Sequence, residues 1–300
     1  MGTEENNIQD NNQAEQQVNT QPATKNGFAF LRELCSFNAD FNAREPRPNP
    51  ITNRVQYIMH QLQANNVAFE IDRFRADGIW NMETLEHHNK YVNLYVFIKG
   101  LNEEKTILFS SHHDVTNKES ENCQDNSASV CNLIDLSIQL TKEQPACNVL
   151  IAFTDGEEID GKTVTPYNGG ANRLAQKVKA GTFGKVEYIY NLELTANGNH
   201  FWYSYQNQPN APVNAAANHM RQLYPTSKRV KTPYSDSVPF EMHLLPSVCI
   251  GSLIESELIE AQKGFGCRTW MVCHSKHDTF ENFAVEADMN GFVTFLRSLI

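Results

Sequence analysis

No hydrophobic run of eighteen or more residues occurs in the sequence, so no segment reads as a membrane-crossing helix. The first residues do not form a basic stretch followed by an apolar one, so a secretory signal is not expected. Asn6 stands where N-myristoylation needs Ser or Thr. No membrane partner is therefore anticipated. Positive charge is also short: 25 Lys and Arg against 35 Asp and Glu leave a net charge of −10. A protein that follows nucleic-acid phosphates needs a basic stripe. The nearest approach, Lys228, Arg229 and Lys231, reads as a solvated surface, and no nucleic-acid partner is expected. The seven cysteines (Cys35, Cys123, Cys131, Cys147, Cys249, Cys267 and Cys273) are odd in number and contain no Cys-x-x-Cys pair. That excludes a disulfide framework and a thiolate zinc site by pattern. Reduced thiols in a cytoplasmic setting are the expectation, and spacing alone leaves a Cys267–Cys273 bridge open.

What is present is unevenly distributed. Residues 1–26 are rich in Asn and Gln with almost nothing apolar, and read as a disordered tail. Residues 27–300 read as one domain in which strand-like and helix-like stretches alternate. Strands are predicted over 67–74, 91–98, 106–111, 149–154, 186–194, 201–205 and 247–251. Helices are predicted over 51–65, 125–140 (amphipathic), 168–178, 212–223 and 286–299. This alternation implies an α/β fold: a mostly parallel central sheet with helices on both faces. In such folds ligands sit beyond the carboxyl ends of the strands, so the residues following each strand matter most.

Those residues are His and carboxylates. His112-His113-Asp114 follows one strand; it is a polar loop, or a metal-ligating His whose second nitrogen is held by the Asp. Asp125-Asn126-Ser127-Ala128-Ser129 opens a helix, where Asp125 caps it or bridges metals. Asp155-Gly156-Glu157-Glu158 leaves a buried-type strand as a solvated acidic turn, or as a ligand beside a proton carrier. Glu193, between two leucines, needs a metal or an Arg or Lys partner to be buried. His274-Ser275-Lys276-His277-Asp278-Thr279 offers two histidines, with Asp278 available behind them, and Ser235 to Phe240 supplies a turn with Asp236. Taken together this is a His/carboxylate set for hard or borderline divalent metals. The aromatic group Trp202, Tyr203 and Tyr205 reads as core rather than pocket.

The order of these motifs, from about Leu108 to Thr279, resembles the co-catalytic di-zinc aminopeptidase family typified by bacterial leucyl aminopeptidases, with glutamate carboxypeptidases and glutaminyl cyclases as relatives. The resemblance implies a zinc-exopeptidase-like fold and two zinc ions. It assigns His112 and Glu193 to one ion, Glu158 and His274 to the other, and Asp125 to both. It gives Asp114 the task of orienting His112 and makes Glu157 the general base. The frame of the family's last motif selects His274 over His277, and His113 falls on a spacer. One departure stands out: Glu193 occupies a position where the family often has Asp.

The activity so implied is zinc-dependent exopeptidase, most simply an aminopeptidase acting on a peptide substrate. Glu157 would carry a proton from water to the leaving amine. Two other readings use the same scaffold. One is a single-zinc glutaminyl-peptide cyclotransferase; the other is a binding module that has kept the fold without the chemistry.

Overall fold

The computed structural model describes residues 25–42, 45, 47–75, 90–158, 169–206, 210–233, 235–264 and 266–300. The tail expected over 1–26 thus lies outside the described residues except for its last two. Of these, Asn26 belongs to the folded protein. Its side chain accepts from the Ala29 N–H and caps the first helix, and its amide donates to Glu286.

The first half of the chain gives α1 (Gly27–Leu34), α2 (Asn53–Ala64), β1 (Glu70–Arg75), β2 (Lys90–Ile98), β3 (Asn102–His112), α3 (Ala128–Lys142) and β4 (Cys147–Thr154). Then come α4 (Gly170–Lys179), β5 (Val186–Leu192), β6 (His200–Ser204), α5 (Ala211–Leu223), β7 (Lys228–Arg229), α6 (Ser237–Met242), β8 (Ser247–Leu253), α7 (Glu255–Lys263), α8 (Arg268–Val272), α9 (Phe280–Phe283) and α10 (Glu286–Ser298). One sheet holds the strands in the order β1-β2-β4-β3-β5-β8-β6-β7. Its centre, β4-β3-β5-β8, is parallel, while β1, β2 and β6 pair antiparallel at the flanks. This is the mostly parallel α/β sheet that the strand–helix alternation implies.

Alternation along the central strands decides what covers each face. Ile107 and Phe109 of β3 join Val149, Ile151 and Phe153 of β4 in a core with α1, α2, α3, α5 and α10. Leu108, Leu150 and Ala152 point the other way, against Leu174 and Val178 of α4 and Phe240 of α6. β3 starts four residues earlier than its apolar stretch, because Asn102 to Lys105 are exposed and polar while the rest of the strand is buried.

α3 differs from its expected amphipathic form. It is buried on nearly every side, and several of its polar residues bond inside the protein, although Asn132 Oδ1 is buried without a hydrogen-bond partner. Ser129 and Asn132 bond the Thr195 hydroxyl at 3.1 and 2.9 Å, and Ser137 donates to the Leu133 carbonyl. The helix begins at Ala128 without a side-chain cap. Before it the chain makes a π turn, Cys123–Ser127, in which Asp125 and Asn126 have non-helical backbone and are joined by a cis peptide bond. Asp125 is therefore no helix cap, and its carboxylate serves elsewhere.

The parallel register sets His112 beside Thr154 and Leu192 beside Ile250. The carboxyl ends of the central strands thus form a single rim, where the His/carboxylate motifs collect.

Candidate metal centre

β3 ends on His112, whose ring is almost fully buried. Its Nδ1 lies 3.2 Å from the Asp114 carbonyl oxygen and 3.6 Å from the Asp114 carboxylate. The expected orienting contact is thus made by the backbone of Asp114 first and its side chain second. With the proton placed on Nδ1, the Nε2 lone pair faces two carboxylate oxygens, Asp125 Oδ1 at 3.2 Å and Glu193 Oε2 at 3.5 Å. His113 turns away and contacts the Val92 carbonyl at 2.9 Å, a structural role.

After β4 the chain reverses at Gly156, whose φ of +86° is a left-handed conformation that suits glycine. The Glu157 and Glu158 N–H groups then donate to the Asp114 carboxylate at 3.3 and 3.0 Å. Glu158 Oε2 accepts from Thr116 Oγ1 and lies 3.2 Å from His274 Nε2. Glu158 Oε1 is buried with no hydrogen-bond partner.

Glu193 follows β5. Asn126 donates to its Oε2 at 2.6 Å and Asn191 to its Oε1 at 3.2 Å. No lysine or arginine among the described residues pairs with it, so the buried salt bridge left open by the sequence is not formed. Gly251 of β8 makes the close packing here possible. A Cβ at that position would fall 2.1 Å from the Glu193 carbonyl oxygen and 2.4 Å from the Trp202 ring.

His274 has φ +65°, uncommon for a residue with a Cβ and concentrated at functional sites. Its Nε2 lies 3.1 Å from Asp125 Oδ2. Its side chain is 54% exposed where that of His112 is 1% exposed. His277 is exposed and outside the cluster. Asp278 is buried, and its carboxylate accepts from the Gln124 and Asp125 N–H groups at 2.7 and 3.1 Å, holding the π turn in place.

The cluster holds three overlapping groups that could take a metal, His112–Asp125–Glu193, Asp125–Glu158–His274 and His112–Glu157–Glu158, and Asp125 offers one oxygen to each of the first two. Glu157 lies against His112 and Glu158. So much like charge in one buried place shifts every member. Burial, reinforced by Glu158 and Glu193, pushes the Glu157 carboxyl well up. Burial likewise raises Asp236, which accepts from the Thr154 hydroxyl at 2.6 Å, to about 7. The His112 and His274 rings outweigh burial at Asp125 and hold its carboxyl far below the usual range. Hydrogen bonds to Asp125 and Glu158 raise His274 to about 11.

Each imidazole Nε2 faces a pair of carboxylate oxygens, an arrangement that needs either a proton on the ring or a metal cation between nitrogen and oxygens. The unpartnered Glu158 Oε1 is a further unused donor. Nitrogen and oxygen donors, with no thiolate, fit zinc in a catalytic rather than a structural setting.

Beside the cluster is a cavity of about 280 Å³ that shares Asp125, Glu193 and His274 with it. Leu194, Trp202, Pro233, Trp270 and Cys273 supply much of the remaining wall. Trp202 thus serves core and cavity together, while Tyr203 and Tyr205 belong to the core. Cys267 and Cys273 are separate thiols. Neither Trp270 nor the supporting residues Thr116 and Asn126 stood out in the sequence. Asn126 lay inside a singled-out motif, but nothing local to it pointed at Glu193.

Among the described residues no helix is long and apolar enough to cross a membrane. No curated protein matches the sequence. The fold is similar to that of a Zn-dependent exopeptidase from Parabacteroides distasonis, at TM-score 0.66 and 15% identity, covering 91% of this chain and 96% of that one. It is similar also to a leucine aminopeptidase precursor from Bacteroides thetaiotaomicron (TM-score 0.64, 14% identity, 91% and 95% covered). A third is the Tannerella forsythia glutaminyl cyclase (TM-score 0.65, 15% identity, 91% and 96% covered). The model of peptidase family M28 matches residues 93–292, a stretch that contains the whole His/carboxylate cluster, and the chain belongs to that family.

Proposed function

We propose that the protein is a zinc-dependent aminopeptidase that removes residues from the amino terminus of peptides. The observation that carries this reading is the Asp125 carboxylate, with one oxygen 3.2 Å from His112 Nε2 and the other 3.1 Å from His274 Nε2. His112, Asp125 and Glu193 would hold one zinc, and Asp125, Glu158 and His274 a second. When bound, zinc supplies Lewis acidity that activates water and stabilises charge developing on a carbonyl oxygen.

The chain's own residues do the rest. Glu157 groups with His112 and Glu158 but lies outside the two sets that share Asp125, so its carboxylate is assigned the proton of the attacking water. It then delivers that proton to the leaving amine nitrogen. Asp114 fixes the Glu157 and Glu158 backbone and the His112 ring. The cavity accepts an uncharged side chain: two indoles, a leucine and a proline line it, with no Lys or Arg among its lining residues. The preference for the amino terminus over the carboxyl terminus is taken from the likeness to zinc aminopeptidases, since Asp125 and Glu193 of the cavity wall are committed to the metal.

A second reading is a glutaminyl-peptide cyclotransferase, supported by the equal fold likeness to glutaminyl cyclases. One experiment separates them. Purified protein is assayed for zinc content, for release of aminoacyl fluorophores with and without chelator, and for cyclisation of peptides starting with Gln. Two zinc ions and chelator-sensitive release support the aminopeptidase. One zinc with cyclisation and no release supports the cyclotransferase. No chelator-sensitive turnover of either kind refutes both.

A further inference from the structure

We infer that Arg47 is a positioning residue of the metal centre, acting through Asp114. The inference rests on the metal-centre reading above and adds a residue from outside the stretch that matches the family. Arg47 lies between α1 and α2, far from the cluster in sequence, yet only 3% of it is exposed. Its Nη1 is 2.5 Å from Asp155 Oδ1 and its Nη2 is 3.7 Å from Asp114 Oδ2. The guanidinium therefore spans the residues that follow β3 and β4, joining the two strand ends that carry His112 on one side and Glu157 and Glu158 on the other.

Asp114 is the junction. Its Oδ1 accepts from the Glu157 N–H and its Oδ2 from the Glu158 N–H, and its carboxylate and carbonyl face His112 Nδ1. A single carboxylate thus sets the backbone of the proposed base, the backbone of one ligand and the ring of another. Two backbone N–H groups and His112 already support this buried carboxylate, and a fixed positive charge beside it offsets the acids around it. Arg47 supplies that charge with a planar fork anchored at its other tine by Asp155, which is itself held by the Val92 N–H at 3.0 Å. Arg54, the other buried arginine beneath this loop, does not substitute. Its Nε donates to the His113 carbonyl at 2.7 Å and its Nη2 to the Ser127 hydroxyl at 3.0 Å, so its hydrogen bonds go to the neighbouring loop and the π turn rather than to Asp114.

A purely structural role, neutralising Asp155, makes a different prediction, and variants of the full chain separate the two. The readouts are zinc affinity by competition with a chromophoric chelator, thermal unfolding, and kcat and KM on an aminoacyl fluorophore. Arg47→Met is expected to weaken zinc binding about 10–100-fold, the usual cost of losing a residue that orients a ligand, and to lower kcat with KM little changed. Arg47→Met/Asp155→Asn removes both charges of the short pair, so it is expected to regain thermal stability without regaining zinc affinity; it also carries the test if the single variant does not fold. In an Asp114→Asn background, Arg47→Met is expected to cost no further zinc affinity, because its route to the metal has already been removed. Arg47→Lys, which keeps charge but not the fork, is expected to fall between wild type and Arg47→Met. The inference is overturned if Arg47→Met/Asp155→Asn regains stability and zinc affinity together, or if the Arg47 and Asp114 losses simply add. A wild-type chain that takes up no zinc defeats the metal-centre reading and this inference with it. Zinc-loaded wild type with Arg47→Met unaffected defeats this inference alone.

Discussion

Replacing Asp278 tests whether the π turn that carries Asp125 is held from outside. Both oxygens of Asp278 are in use, one on the Gln124 N–H at 2.7 Å and one on the Asp125 N–H at 3.1 Å. A hydrogen bond to a charged partner contributes about 1.5–3 kcal/mol, and a buried N–H left without an acceptor costs about 1–3 kcal/mol. These describe the same loss from two sides, and removing a charge that burial disfavours offsets part of it, so Asp278→Ala should cost ~1–3 kcal/mol, the cost of the orphaned N–H groups. Asp278→Asn keeps one acceptor and turns an amide donor toward the other N–H, so its cost should be intermediate. Burial pushes the Asp278 carboxyl up to about 7, so the measurement belongs at pH 8, where the group is charged. Urea unfolding with chelator present removes the linkage between metal binding and stability. Zinc content at saturation then reports whether Asp125 is still presented. The expected order of stability is wild type, Asn, Ala, with zinc retention following the same order. Asp278→Ala within about 0.5 kcal/mol of wild type, the range of an ordinary surface change, would refute the reasoning.

Glu157→Gln should keep the zinc content and lose roughly 10²–10⁴-fold in turnover, the contribution of a general base; near-full turnover would remove Glu157 from that role. Gly251→Ala places a methyl 2.1 Å from the Glu193 carbonyl oxygen and 2.4 Å from the Trp202 ring, so thermal unfolding should show a loss of about 1–3 kcal/mol or more. An unchanged melting temperature would show that the strand has room the packing denies. Zinc affinity should rise with pH between 6 and 9. In the metal-free chain Asp125 and Glu158 hold His274 protonated, to about 11, and burial holds Asp236 near 7. Ligation requires a neutral ring, so loading must release protons. Calorimetry in two buffers of different ionisation enthalpy measures that release directly, and proton uptake would contradict it.

The parts of this protein that could be read without coordinates are those whose signal is local. The apolar stretches of β2, β4 and β8 declare buried strands, and α10 shows its face through Met289, Phe292, Val293 and Leu296. β7 has two residues and α6, α8 and α9 four to six, too few for periodicity to register. The helical signal after Asp125 was real, but nothing in Asp-Asn-Ser-Ala-Ser marks where a π turn gives way to α3. Choosing His274 over His277 came from resemblance, and the structure supplies its physical counterpart: a left-handed residue beside Asp125 and Glu158, with its neighbour in solvent. Arg47 carried no signal at all. An arginine between two prolines looks like surface until folding sets it under Asp114 and Asp155.

The wide spacing of the cluster along the chain also bears on synthesis. His112, Asp125, Glu158 and Glu193 leave the ribosome well before His274 and Asp278, yet the Asp125 N–H finds its acceptor 153 residues downstream. A growing chain can build β3, β4 and β5 in order, with the ligands of one metal position in hand and those of the other incomplete. The shared site closes only when the His274 loop docks. Partly made chains are thereby left without a finished His/carboxylate cluster until the segment that carries His274 has folded into place.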